Sequence, residues 1–422
     1  MITRSPLRGG NWNNGSNAGL GALNLNNART NANNNIGFRP ALDYARSSFP
    51  TGGCQCKFEK DAGTSAIAET LYTSIDASIE CAYEEIYAFE NLLSAAYSCR
   101  KGKSKNQSVM KFFDNLEENI IQIQNELMWC EYAPSPYHQF FVFEPKRRLI
   151  SAPNFKDRVV HRAIYNIIEP HFDKTYIYDS YACRRGKGTH KGADRAQAFI
   201  RNVERKSNKA YALKADIYHY FSSIDHGILK QILSKKIKCQ KTLSLLGFII
   251  DTSPADEVGV GIPLGNLTSQ MFANIYLNEL DRYAKHYLKE KYYIRYMDDF
   301  VFIGPDKDKL HGIRVDVEKF LWEQLRLKTN SKTQVFPIAK ERGRALDFLG
   351  FRIYATHRLL RKSSVKRIKS NLKKLRKGYA AGSVTIREMQ QSVQSWLGHA
   401  KHAQTYNLRR TLFSVPFIKK PE

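Results

Sequence analysis

Two adjacent acids, Asp298 and Asp299, stand in the run Tyr296-Met297-Asp298-Asp299, with Tyr292, Tyr293 and Ile294 before it and Phe300, Val301, Phe302 and Ile303 after it. Aromatic and β-branched flanks predict two strands, so the acids fall at a tight hairpin between them. Desolvating two neighbouring carboxylates is costly unless a cation neutralises them, and a divalent metal is the natural one. The plainer alternative is a solvated turn, since Asp is a common turn residue. A third acid, Asp216, lies 82 residues earlier in Ala212-Leu213-Lys214-Ala215-Asp216-Ile217, at the end of the strand-like Tyr211 to Leu213, with Asp225 beyond. If that strand lies beside the hairpin, three carboxylates converge. That is enough to hold two Mg²⁺ ions whose shells are completed by waters and substrate phosphates. Two metals about 3.5 to 4 Å apart clamp the attacking and leaving oxygens of an in-line phosphoryl displacement. The chemistry implied is nucleotidyl transfer.

The elements that must carry these acids can be read outward from them. Residues 79 to 100 and 108 to 131 show apolar residues at three-to-four spacing and predict a helical pair, joined by the basic loop Arg100-Lys101-Gly102-Lys103-Ser104-Lys105. Phe140-Phe141-Val142-Phe143 and Leu149-Ile150 predict a hairpin whose tip carries Lys146, Arg147 and Arg148, either as solvated charge or as phosphate contacts. Residues 361 to 377 hold nine Lys or Arg and no acid, with Val365, Ile368, Leu372 and Leu375 at helical spacing. One face packs, and the other is an inert solvated face or a nucleic-acid track.

Length and charge narrow the partners. A chain of 422 residues is long enough for two or three domains. A formal net charge of +26 is self-repelling, and a polyanion offsets it by releasing condensed counterions, which makes nucleic acid the leading partner. Apolar runs such as Leu245 to Ile250 fall well short of the roughly 20 residues of a membrane helix, and the start of the chain lacks the apolar core of a signal peptide. The seven cysteines, at 54, 56, 81, 99, 130, 183 and 239, lack zinc-ligand spacing and read as reduced thiols of a cytoplasmic protein.

Taken together, Asp216 with Phe221, the Tyr-Met-Asp-Asp box, Gly261-Ile262-Pro263-Leu264-Gly265, Lys332 in Leu327 to Thr333, and Leu346-Asp347-Phe348-Leu349-Gly350-Phe351 resemble the ordered blocks of reverse transcriptases. The resemblance runs over residues 130 to 400. It implies an α+β fold shaped as a right hand, with fingers built from the N-terminal helices and basic hairpin, a ferredoxin-like palm and a helical thumb. On this reading residues 1–50 are an Asn-rich segment that does not fold alone, 51–78 a linker, 79–345 fingers and palm, and 346–422 the palm end and basic thumb. It further implies that Asp216, the Ile217 carbonyl, Asp298 and Asp299 hold two Mg²⁺ ions, with Mn²⁺ as the alternative, and that Lys332 protonates the leaving pyrophosphate. Arg147, Arg148, Phe221, Ile262 and Gly265 would border the incoming deoxynucleoside triphosphate, Phe221 excluding a 2′-hydroxyl unless it is simply a core residue. Lys146, Arg184, Lys187, Gln270, Tyr296, Met297, Lys373 and Lys374 would touch template or primer.

One block departs from the common pattern. Relatives such as group II intron enzymes and retrons carry Gln before the Pro-x-Gly core and Ser-Pro after it. Here Ile262 fills the first place and Ser269-Gln270 the second. That pattern resembles diversity-generating retroelement reverse transcriptases, which copy a template-repeat RNA with errors at adenines. Ile262 would then lie by the templating base and loosen pair geometry, or it simply packs. The resemblance also implies an RNA/DNA hybrid and a small basic accessory protein as partners, and no RNase H or endonuclease domain.

Residues 11 to 35 contain eleven asparagines. Either this is a disordered polar tail or residues 1 to about 45 are a translated template repeat, since Arg8 to Trp12 and Asn35 to Ala41 resemble the end of a formylglycine-generating-enzyme or C-type-lectin-like target protein. Randomising the two adenines of an Asn codon changes the residue without creating a stop. Methionine is missing between Met1 and Met110, so translation starting inside that interval would need a non-ATG codon. The competing readings are a group II intron or retron-like enzyme, a non-catalytic RNA-binding relative, and a ligand-display protein.

Overall fold

The computed structural model describes residues 79, 82–143, 147–254, 257–339 and 343–414, together with two antiparallel dipeptides, Leu7–Arg8 and Leu23–Asn24. The readings placed on the Asn-rich segment, on the linker 51–78 and on Lys146 lie outside the described residues.

Four helices open the main run of described residues: α1 (Ala82–Tyr87), α2 (Phe89–Arg100), α3 (Gln107–Asp114) and α4 (Leu116–Met128). The two expected helices are thus each broken once. Ala88, at φ −53 and ψ 133, leaves helical geometry between α1 and α2, and Asn115, at φ −124 and ψ 52, does so between α3 and α4. The basic loop ends where the Asn106 side chain accepts a hydrogen bond from the Ser108 amide, capping α3 and stopping the coil. Next come the expected basic hairpin, β1 (His138–Val142) against β2 (Arg148–Ala152), and α5 (Phe155–Asp173). Helix α5 buries Val159, Val160, Ala163, Ile164 and Ile168 completely and packs on α2.

The central sheet consists of β3 (Tyr211–Asp216), β4 (Tyr293–Tyr296), β5 (Asp299–Gly304) and β6 (Gln334–Pro337) in the order β4-β5-β3-β6, every pair antiparallel. Helices α7 (His226–Lys236), α8 (Gln240–Asp251) and α9 (Leu267–Arg282) lie between β3 and β4, and α10 (Lys307–Leu325) between β5 and β6. Two crossovers interleaved with a central hairpin give the split βαβ topology expected of the palm.

Strand alternation decides what each face does. Leu213, Ala215, Tyr293, Phe300 and Phe302 join the main core with α5, α9 and α10. Ala212, Ile294, Val301 and Ile303 face the other way, into a second core with α6 (Thr189–Ser207) and a small sheet of β7 (Leu346–Phe348), β8 (Phe351–Ile353) and β9 (Arg358–Leu360). By the same alternation Lys214, Asp216, Tyr296 and Asp299 share the α6 face at the strand ends.

The chain closes with α11 (Lys362–Ala380), α12 (Ile386–Ala400) and α13 (Tyr406–Phe413). In α11 Ile368 and Leu372 are buried while Lys373 and Lys374 are exposed, as the one-sided pattern requires. A capping box between Thr385 and Glu388 starts α12. Among the described residues no helix is long and apolar enough to cross a membrane.

Candidate active site

The sheet register brings the expected acids together. Asp216, last residue of β3, is the direct cross-strand partner of Asp299, first residue of β5. Asp298 sits in the turn just before it, after Met297, whose φ of 56° gives the left-handed residue a tight turn needs. Burial is the main force on both turn acids. It pushes Asp298 up to about 6, helped by the charge of Asp216 and opposed by Arg148 and Arg295. It pushes Asp299 up to about 7, opposed by Lys214 and reinforced by Asp216 and Asp298.

Countercharge is short. Lys214 Nζ stands 3.4 Å from Asp299 Oδ2, while Asp299 Oδ1 is buried with no hydrogen-bond partner. Among the described residues no three acidic, histidine or cysteine side chains close into a ready-made metal cage. Mg²⁺ rarely uses one. It takes one or two carboxylates and completes an octahedron with waters and substrate phosphates, and an acid trio with an orphaned oxygen fits that habit.

Two residues that hold this arrangement went unnoticed in the sequence. Arg295 is fully buried in β4 and makes a forked pair with Asp281, Nε to Oδ1 at 2.7 Å and Nη2 to Oδ2 at 2.6 Å. Its Nη1 donates to the Met297 carbonyl at 3.0 Å and to Asn274 Oδ1 at 3.3 Å, so a helix α9 acid anchors the turn that carries Asp298. Tyr293 donates its hydroxyl to Asp281 as well. The available signal was a lone Arg inside an otherwise apolar strand, which demands a buried partner. Lys214 also donates to the Asp347 carbonyl at 2.6 Å, tying the palm acid to β7.

Lys332 lies on an exposed turn, but the turn is tied to the acids. The Asn330 amide donates to the Asp216 carbonyl at 2.7 Å, and Asn330 Oδ1 accepts from the Lys332 amide. Ile217 is itself buried and bridges to Thr329. Phe221, half-buried in the short helix Tyr220–Ser223, gives its carbonyl to the Ile262 amide at 2.8 Å. The 261–265 loop then reaches the basic hairpin, where Leu264 accepts from the Ser151 amide. Gly265 fits there for a steric reason. Its φ is +125°, and a Cβ would come within 2.9 Å of the Ser151 carbonyl oxygen.

The geometry also places the other expected residues. Ile262 is 4% exposed and packs in the main core, whereas Leu264 in the same loop is half-buried. Arg184 was expected on template. Instead its guanidinium binds Asp173 Oδ1 at 2.5 Å and the carbonyls of Ile177, Ser180 and Asp173, and so staples its own loop. Lys187 donates to the Tyr178 carbonyl and lies over the Tyr178 ring. Arg147 covers Phe141 at 4.1 Å, while Arg148 stays exposed within electrostatic reach of Asp298. Gln270 accepts from the Cys183 thiol at 3.3 Å, with Tyr296 half-buried and Met297 packed on the main core.

Residues 144–353, which hold all three acids, Phe221 and Lys332, match the family model described as "Reverse transcriptase (RNA-dependent DNA polymerase)". The chain carries a reverse transcriptase domain. Protein YkfC of Escherichia coli is 25% identical over 282 residues, 57% of this chain and 71% of that protein. The group II intron-encoded protein LtrA of Lactococcus lactis is 24% identical over 242 residues, 52% of this chain but 38% of LtrA. A solved telomerase of Candida tropicalis, in complex with a fragment of telomeric RNA, superposes with a TM-score of 0.44 at 14% identity, over 72% of this chain and 58% of that one. The reverse transcriptase domain places the enzyme among RNA-directed DNA polymerases.

Proposed function

We propose that the protein copies RNA into DNA with the acids at the ends of β3 and β5 as its reaction centre. The observation that carries this is the Asp216–Asp299 register with Asp298 in the adjoining turn, where burial raises both turn acids and one Asp299 oxygen has no hydrogen-bond partner. Asp216, Asp298, Asp299 and the Ile217 carbonyl would hold divalent ions. When bound, these supply Lewis acidity to the attacking primer 3′-oxygen and to the leaving pyrophosphate oxygen. The chain's own residues do the rest. Arg148, with Arg147, orients the triphosphate, and Phe221 places a ring against the sugar. Lys332, on the turn tied to Asp216, donates the proton that pyrophosphate takes as the α-phosphorus bond to it breaks.

The finer assignment is to a diversity-generating retroelement, with template-repeat RNA as substrate and a small basic accessory protein as partner. Ser269-Gln270 in place of Ser-Pro and the eleven asparagines of residues 11 to 35 support it. Fidelity then depends on the 261–265 loop between Phe221 and Ser151 rather than on an exposed Ile262 side chain. A second reading, a group II intron-like enzyme, is favoured by the similarity to LtrA. Primer extension on an RNA template separates the two, with Asp298→Ala as the inactive control. Misincorporation concentrated opposite template adenine is the expected outcome, and equal error opposite all four bases supports the intron-like enzyme.

A further inference from the structure

The 257–265 loop runs from the start of α7 to the basic hairpin, and its own sequence gives it little stiffness. Gly259, Gly261 and Gly265 hold φ values of +78°, +100° and +125°, which glycine adopts freely and other residues do not. Hydrogen bonds therefore have to fix it. The Gly261 amide donates to the Ile224 carbonyl at 2.8 Å, the Ile262 amide to the Phe221 carbonyl at 2.8 Å, and the Gly259 carbonyl accepts from the His226 amide at 2.9 Å. These are backbone pairs, which depend little on side-chain identity.

One side chain joins them. His226, buried at the start of α7, places its Nε2 2.7 Å from the Gly261 carbonyl oxygen, and among the described residues no other side chain hydrogen-bonds the backbone of 259–265. A carbonyl only accepts, so Nε2 carries the proton. The ring is held in place by the helix that bears it, since Asp225 caps α7 by accepting from the Ile228 amide at 2.9 Å. Its Nδ1 faces Asp251, at the end of α8, across 3.6 Å, which is too far for a hydrogen bond, and both oxygens of Asp251 are taken by Lys230 at 2.6 Å. The grip on the loop is thus a single bond from a single ring. It closes on the peptide group whose nitrogen, that of Ile262, is tied to Phe221, three residues before the point where Ser151 holds the Leu264 carbonyl beside Gly265.

We infer that His226 is a positioning residue for nucleotide selection, fixing through the Gly261 carbonyl the loop that links the backbone of Phe221 to the basic hairpin. It acts through the loop and is not a catalytic residue. The inference rests on the reading of the protein as an RNA-copying enzyme, because that reading makes Phe221 and the hairpin the borders of the incoming nucleotide. A loop released from His226 holds those borders less firmly, so wrong nucleotides gain on right ones.

The test pairs two measurements on the full chain: hydrogen exchange of the Gly261 and Ile262 amides, and the ratio of incorrect to correct deoxynucleotide incorporation in single-turnover primer extension. His226→Phe keeps a ring and removes the donor. Exchange at both amides should quicken about fivefold and the ratio should rise about fivefold, the worth of one hydrogen bond. His226→Gln restores a donor and should recover most of both. Loss of folded enzyme does not imitate this, because it lowers correct and incorrect incorporation by the same factor. Asp251→Asn, next to the ring but not bonded to it, should leave both readouts at wild-type values. Unchanged exchange in His226→Phe overturns the inference, and so does faster exchange with an unchanged ratio, or Asp251→Asn reproducing both effects. A wild type that extends no primer would defeat the proposed function instead, and the exchange measurement would still decide whether His226 holds the loop.

Discussion

Two acid groups of the palm, Asp281 and the Asp298–Asp299 pair, are treated in opposite ways. Asp281 is fully buried and closed, with both carboxylate oxygens bound to Arg295 and a further hydrogen bond from Tyr293. Asp298 and Asp299 are left open, with Lys214 at 3.4 Å as the one ion-pair partner among the described residues and an oxygen unpartnered. The closed pair is architecture: it fixes the Met297 carbonyl and so the turn. The open pair is poised for an added cation. Incomplete compensation, rather than burial or acidity, distinguishes a reaction centre from a structural ion pair.

The largest effect expected is on chemistry. Asp216→Asn or Asp298→Ala should lower RNA-templated primer extension by about a thousandfold or more, the loss of roughly 4 kcal/mol of transition-state stabilisation. Melting temperature should hold or rise, because like-charge repulsion is relieved. Wild-type extension rates in either variant, measured in single-turnover assays, would break the distinction between the two groups.

Opening the closed pair should do the reverse. Arg295→Met leaves Asp281 buried without its partner and should cost about 3 to 5 kcal/mol in denaturant unfolding. The double change Arg295→Met with Asp281→Leu should recover much of that stability without recovering activity, since nothing then holds the Met297 carbonyl. If the double variant is as unstable as the single, the pair is not the unit described here.

A smaller effect is expected from pH. Asp298 and Asp299 are held up to about 6 and about 7 in the folded protein, above the ordinary carboxylate range. Their ionisation therefore burdens the folded state alone. In chelator, the stability they contribute is full below about pH 4, where unfolded carboxyls are protonated too, and is lost as pH rises through 6 to 7. The double variant Asp298→Asn with Asp299→Asn should lack that decline between about pH 4 and 7 when melting curves are compared, and a decline of equal size would count against the open pair.

The smallest effects separate two arginines that look alike in sequence. Arg148→Gln should raise the KM for deoxynucleotide with little change in melting temperature. Arg184→Gln should lower the melting temperature, with KM nearly constant, because its guanidinium binds Asp173 and three backbone carbonyls. An exchange of those two outcomes would restore the sequence-based role of Arg184.

That contrast also shows what can be read from sequence in this protein. The palm topology was legible only through the resemblance to reverse transcriptases, while strand alternation and a hairpin allowed, without requiring, the meeting of Asp216 with Asp299 that the register shows. The break at Ala88 was not, since periodic apolar spacing continues across it and only backbone geometry marks it. Availability of charge was not legible either. Arg184 and Arg148 have the same chemistry, and only the fold shows that Arg184 is held by Asp173 and nearby carbonyls while Arg148 stays exposed. Ile262 is the same lesson for an apolar side chain, because a loop position does not tell whether the residue points into the cleft or into the core.

The central claim is that the open acid group is a divalent-cation site. Calorimetric titration of Mg²⁺ into the full chain bound to primer–template tests it directly, comparing the wild type with Asp298→Asn/Asp299→Asn. Saturable binding in the wild type, lost in the variant while the Arg295–Asp281 pair and the melting transition persist, is the result predicted. Equal Mg²⁺ binding by the two proteins would contradict it.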